Sequence, residues 1–145
     1  MVLPTRDLSI LLKTMEPVLN SGTFVYASIR EYESIDPALV VASIREPEGL
    51  SVVMKEADAL HFNLPTLFRC SWITLTVNSD LHAVGLTAVF ATALASAGIS
   101  CNIVAGAFHD HIFVPVHSAE RAMEELRSLQ ARMNADPEGV NGSDL

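Results

Sequence analysis

The chain has 145 residues, half of them apolar and 18% charged, enough for one ordinary domain or two very small ones around a shared core, and too apolar for a disordered chain. Its formal net charge is -8, from 9 Lys and Arg against 17 Asp and Glu, so its long-range field repels phosphate backbones and argues against nucleic acid as a partner. Two cysteines, Cys70 and Cys101, supply neither a disulfide framework nor a zinc site by themselves. Residues 1–7 lack the basic region and apolar run of a signal peptide. The most apolar stretch, residues 83–99, is broken by Gly85, Thr87, Thr92, Ser96 and Gly98 and is short for a membrane span. These features predict a chain in the reducing cytoplasm, with no membrane contact.

In chain order, Leu8, Leu11, Leu12 and Met15 recur at helical spacing, with Thr5 or Asp7 placed to cap the start and Pro17 near the end. Residues 23–29 form a β-prone run. Residues 40–45 and 50–55 flank Glu46-Pro47-Glu48-Gly49, which puts Pro and Gly where a type I turn wants them and predicts a hairpin. Residues 57–63 read as one helical turn, and Leu64-Pro65-Thr66 marks the boundary between two halves. Residues 71–77 alternate cleanly, with Ile73, Leu75 and Val77 on one side and Trp72, Thr74 and Thr76 on the other. Asn78-Ser79-Asp80 has N-cap chemistry for a helix over residues 81–97, stopped by Gly98. Strands follow over 99–106 and 111–116, then an amphipathic helix carrying Ala119, Ala122, Met123, Leu126, Leu129 and Met133. Residues 134–145 are polar and Gly-containing, with nothing to bury, which predicts a disordered tail.

The order from residue 71 onward, β-α-β-β-α, is a ferredoxin-like split β-α-β unit lacking its last strand. That edge strand comes either from the N-terminal half or from another subunit. Helices cover one sheet face. The other carries Trp72, Val104 and Phe113, apolar enough to call for a partner surface.

Three segments carry a family resemblance: Leu81-His82-Ala83-Val84-Gly85-Leu86-Thr87-Ala88, Gly98-Ile99-Ser100-Cys101-Asn102-Ile103-Val104-Ala105-Gly106, and His109-Asp110-His111-Ile112-Phe113-Val114-Pro115. Together with Gly22-Thr23-Phe24-Val25 and Glu48-Gly49-Leu50 they resemble short bacterial tandem ACT-domain proteins, related to the ACT modules of CASTOR-type arginine sensors. The resemblance implies an α+β, ferredoxin-like fold of two ACT-like units with antiparallel sheets and helices on one face. It divides the chain into a divergent N-terminal unit (1–65), a C-terminal ACT domain (66–133) and the tail (134–145). It also implies a homodimer that binds a small molecule, commonly an amino acid, where units associate. Its binding elements map onto Asn78, Ser79, Asp80 and Leu81, onto Val84 and Gly85, and onto Cys101, Asn102 and Ile103. Where similar proteins often carry a His-Ser-Ser type loop, this chain has Asn78-Ser79-Asp80, whose added carboxylate either attracts a ligand ammonium or caps the helix.

Each candidate also has an ordinary structural reading. The loop at 78–80 either receives a carboxylate at a helix N-terminus beside Gly85 or is a plain cap. Asn102 either presents its amide to a ligand or is satisfied locally. His109 and His111, two apart, share a strand face, but Asp110 points to the other side. The pair therefore lacks the third ligand a metal needs, and hydrogen bonding within a hairpin is the better reading. Cys101 reads as a small buried hydrophobe on the face opposite those histidines, so no thiol-imidazole pair forms. The resulting expectation is a non-catalytic, cofactor-free allosteric sensor of a small molecule. Two alternatives are a dimerisation module without ligand and, further off, a metal-dependent enzyme using His109 and His111.

Overall fold

The computed structural model describes residues 4–30, 34–77 and 79–135. It begins with helix α1 (Leu8–Thr14), opened by Asp7, whose carboxylate accepts a hydrogen bond from the Ile10 amide at 3.1 Å. Leu11, Leu12 and Met15 are fully buried, as the spacing predicts. Two strand segments follow, β1 (Pro17–Leu19) and β2 (Phe24–Ile29), then the hairpin β3 (Val40–Glu46) and β4 (Gly49–Lys55) and the short helix α2 (Glu56–His61). The second half comprises β5 (Phe68–Leu75), α3 (Leu86–Ser96), β6 (Asn102–Ala105), β7 (Asp110–Pro115) and α4 (Ala119–Ala135). Helix α4 runs through Asn134 and Ala135, where the Asn134 side-chain Nδ2 donates to the Gln130 carbonyl. The rest of the expected tail, 136–145, lies outside the described residues.

The strands form a continuous antiparallel sheet ordered β3-β4-β2-β5-β7-β6, with β1 pairing β5 end to end with β2. Leu19 lies opposite Ile73, while Phe24 lies opposite Cys70. In the break between them, Asn20 donates its amide to the Trp72 carbonyl (2.9 Å) and its side-chain Nδ2 to Thr74 Oγ1 (2.9 Å). This resolves the missing strand. In the second unit the order β6-β7-β5-β1 places Pro17–Leu19 in the empty fourth position. In the first, β3-β4-β2-β5 places the start of β5 there. Each half thus completes the other's sheet with one strand segment. Between β2 and β3 the first unit has, among the described residues, a single turn at Pro37–Leu39 where the second has α3.

Helices α1, α3 and α4 bury one face of the second unit: Leu11, Leu12, Phe90, Leu94, Leu126 and Leu129 meet Ile73, Leu75, Ile112 and Val114. Helix α2 covers Val25, Ala27, Val52 and Met54 of the first. Among the described residues the opposite face has no helix, yet Phe24, Val53, Cys70 and Phe113 on it are buried. Val104, on one edge strand, lines the same cavity of about 60 Å³ as Ala42 and Ile44 on the other. The sheet therefore coils strongly, as right-handed strand twist accumulates over its strands, and folds this face in on itself. The apolar surface read from Trp72, Val104 and Phe113 is thus filled largely from within by an aromatic cluster. Phe24 meets Trp72 edge-on at 5.3 Å and Tyr26 meets Phe113 edge-on at 5.8 Å. Among the described residues no helix is long and apolar enough to cross a membrane.

Candidate functional site

The loop between β5 and α3 departs most from the sequence reading. Helix α3 starts at Leu86, five residues later than its spacing predicts, because Gly85 precedes it at φ +96°, outside the helical region. The Asp80 carboxylate turns back instead of capping α3. It accepts from the His82 amide (2.7 Å), lies 2.9 Å from His82 Nδ1, and pairs with Arg6 Nε at 3.1 Å. The His82 amide bond, followed by bonds from the His82 and Arg6 side chains, holds its pKa down to about 2 against the opposing effect of desolvation. Asp80 therefore stays ionised and engaged by His82 and Arg6 rather than capping α3.

The remaining candidates are distributed around this loop. Asn78 lies outside the described residues. Ser79 is 8% exposed and donates its hydroxyl to the Asp110 carboxylate at 3.2 Å. Leu81 and Val84 are exposed, as is Phe108 in the adjacent β6–β7 turn, giving this end of the molecule an apolar rim. Helix α3 has no side-chain cap, so the N–H groups of its first turn meet no capping side chain among the described residues. Cys101 and Ile103 face the helices, whereas Asn102 is exposed and Val104 lies on the coiled face. In the register, Ala105 lies level with Asp110, while Asn102 pairs with Phe113 at the far end of β6. Within one chain, then, Cys101, Asn102 and Ile103 lie up to a strand's length, roughly 10 Å, from the loop.

Asp110 is the residue that sequence reasoning missed. It is 7% exposed, lies opposite Leu75 on the helix-bearing face and anchors the loop through Ser79. Strand parity signals its direction, but only the fold supplies its partner.

The two histidines are committed elsewhere. His109 Nδ1 lies 3.3 Å from the Val77 carbonyl. His111 Nδ1 accepts from Trp72 Nε1 at 3.0 Å. Among the described residues no three His, Cys, Asp or Glu side chains group as metal ligands. Burial raises both thiol pKa values, that of Cys70 to about 11, so neither is a thiolate at neutral pH.

Because an indole N–H only donates, His111 must keep Nδ1 unprotonated. Burial, followed by the charge of His109, lowers its pKa from 6.5 against the opposing pull of Asp110. The folded state thus binds this proton less readily than the unfolded chain. The associated stability is complete above about pH 6.5 and declines as pH falls toward the lower folded value. Trp72, the chain's one tryptophan, reports this directly. Its emission is expected to hold steady above pH 6.5 and to change with a midpoint below it, reversibly. A midpoint above that value, or an identical transition in His111→Gln, would contradict the assignment.

Two ACT-domain models match consecutive parts of the sequence, residues 4–71 and 67–128. The chain belongs to the ACT-domain family. No curated protein matches the sequence. Among solved structures, this ACT protein is similar to a Vibrio cholerae protein of unknown function, possibly in transport, with 42% identity, 86% of this chain and 97% of that one covered, and a TM-score of 0.75. It shares its fold with an Agrobacterium tumefaciens protein at 17% identity, 80% of this chain and 89% of that one covered, and a TM-score of 0.61. It likewise shares its fold with the ligand-free regulatory subunit of aspartate kinase from Thermus thermophilus, at 12% identity, 81% and 97% coverage, and a TM-score of 0.59. The tandem ACT architecture, an antiparallel sheet with helices on one face, is the one the sequence resemblance implies.

Proposed function

We propose that this ACT protein is a cytoplasmic regulatory module that binds an amino acid at the loop preceding α3, with no catalytic step of its own. The observation that carries the reading is the start of α3 just after Gly85, with no side-chain cap among the described residues. First-turn N–H groups and the helix dipole suit a carboxylate, and a glycine there leaves room for it. Ser79, Leu81 and Val84 supply the adjoining polar and apolar contacts. Asp80 acts on the site by holding the loop's shape through the His82 amide and ring, which engage its carboxylate within the loop itself.

The distance between this loop and Cys101, Asn102 and Ile103 favours a homodimer. Strand β6 lies at the edge of the sheet, so its outer backbone groups and the exposed Asn102 are available to the loop of a second copy. The competing reading, a dimerisation module without ligand, leans on the face carrying Trp72 and Phe113. The internal burial of Phe113 weakens that support.

Amide resonances map the site. With the common L-amino acids added as mixtures, perturbations are expected at residues 79–88 and in β6, and they should narrow to one or two compounds on deconvolution. Perturbations confined to the other end of the molecule, around Ile29 and Leu50, would contradict the assignment.

A further inference from the structure

The segment leading into α1, together with the helix's first residue, Leu8, is bound to the candidate loop at three points. The Thr5 carbonyl accepts from the Asp80 amide at 3.0 Å, within a parallel bridge between Thr5 and Ser79. Arg6 Nε pairs with the Asp80 carboxylate. Leu8 lies over Gly85, where a Cβ would come within 3.3 Å of Leu8 Cδ2. The space that a glycine leaves open for a ligand is therefore partly filled by this chain's own leucine. The segment joins α1 directly, and α1 leads into β1, the strand that completes the second unit's sheet.

We propose that residues 5–8 form a detachable strap that closes the loop from Ser79 to Gly85, and that strap docking and occupancy of the α3 N-terminus exclude one another. A ligand arriving at Gly85 displaces Leu8, breaks the Thr5–Asp80 bond and frees the segment leading into α1. Occupancy is thereby converted into a change at the N-terminus. The exclusion deepens the amino-acid reading and rests on it; the strap itself does not.

The strap is held by one backbone bond, one half-buried apolar contact and one ion pair, with the Arg6 side chain 64% exposed. Loss of such a pair shifts an equilibrium by roughly two- to fivefold, and salt screens it. Amide exchange of Asp80, read by NMR on the full chain without ligand, follows strap opening because its acceptor is the Thr5 carbonyl. Arg6→Ala is expected to speed this exchange by roughly two- to fivefold, and Leu8→Ala to speed it as well, because the half-buried leucine loses its apolar contact over Gly85. Raising NaCl should do the same to the native chain and have little effect on Arg6→Ala. Exchange unchanged in both variants and by salt would overturn the strap. With an amino acid that binds the native chain, Arg6→Ala should bind it more tightly by a similar factor, because the competing state is weakened. Equal or weaker affinity would overturn the exclusion. Failure to find any such amino acid counts against the proposed function, leaving the exchange result to decide the strap.

Discussion

Replacing Phe113 with alanine is expected to cost about 3–5 kcal/mol, the range for a buried aromatic truncated in a core, although the residue lies on a sheet face that no helix covers among the described residues. Phe113 has 0% exposure. Its ring meets Tyr26 edge-on at 5.8 Å and stacks near Trp72 at 6.5 Å. A flat sheet would leave that side chain in water and make the substitution nearly neutral, within about 0.5 kcal/mol. The coiled sheet makes it a core position. The sheet would close only partly around the missing ring, so a cavity term adds to the lost transfer free energy. Denaturant unfolding measures the effect as a lowered midpoint at nearly unchanged slope. Asn102→Ala serves as the control, because Asn102 is the exposed cross-strand neighbour of Phe113. Equal, small losses at the two sites would show that this face is open to solvent and restore it as a partner surface.

The features legible in the sequence were those whose signals are local. Pro47 and Gly49 between two β-prone runs fix the β3–β4 hairpin. The alternation Ile73, Leu75 against Trp72, Thr74 separates the two faces of β5. The apolar stripe from Ala122 to Leu129 gives α4.

The features that were not legible depend on distant partners. Strand β1 is three residues long and begins with proline, so it has no periodicity to read; it exists because β5, more than fifty residues later, leaves an edge beside it. The start of α3 was misplaced because Asp80 offers the same oxygen to a helix N-terminus and to a local turn. Arg6, brought in from the other end of the chain, and the His82 amide favour the turn. The coiling that buries Phe113 is a property of the whole sheet, and no window of sequence contains it. At the candidate site, the loop itself was legible from its residue types. Its anchor, Asp110, and its strap, residues 5–8, were not, since each bridges segments far apart in sequence.

The proposed ligand is a small zwitterion at the α3 N-terminus, and its chemistry narrows the candidates. The ligand needs a carboxylate for the helix amides. The exposed rim of Leu81, Val84 and Phe108 favours an apolar or long side chain over a small polar one. A net charge of -8 disfavours nucleotides and other polyanions. Thermal unfolding of the native chain against each common L-amino acid, with nucleotides as negative controls, tests this most directly. A ligand that binds only the folded state adds about 2.7 kcal/mol at a hundredfold excess over its dissociation constant. For a chain of this size that amounts to a rise in midpoint on the order of 8 °C. The predicted result is such a rise with one or two amino acids, growing with the logarithm of concentration, and none with nucleotides. A midpoint that stays constant across every amino acid would contradict the account and leave this tandem ACT protein a module for protein association.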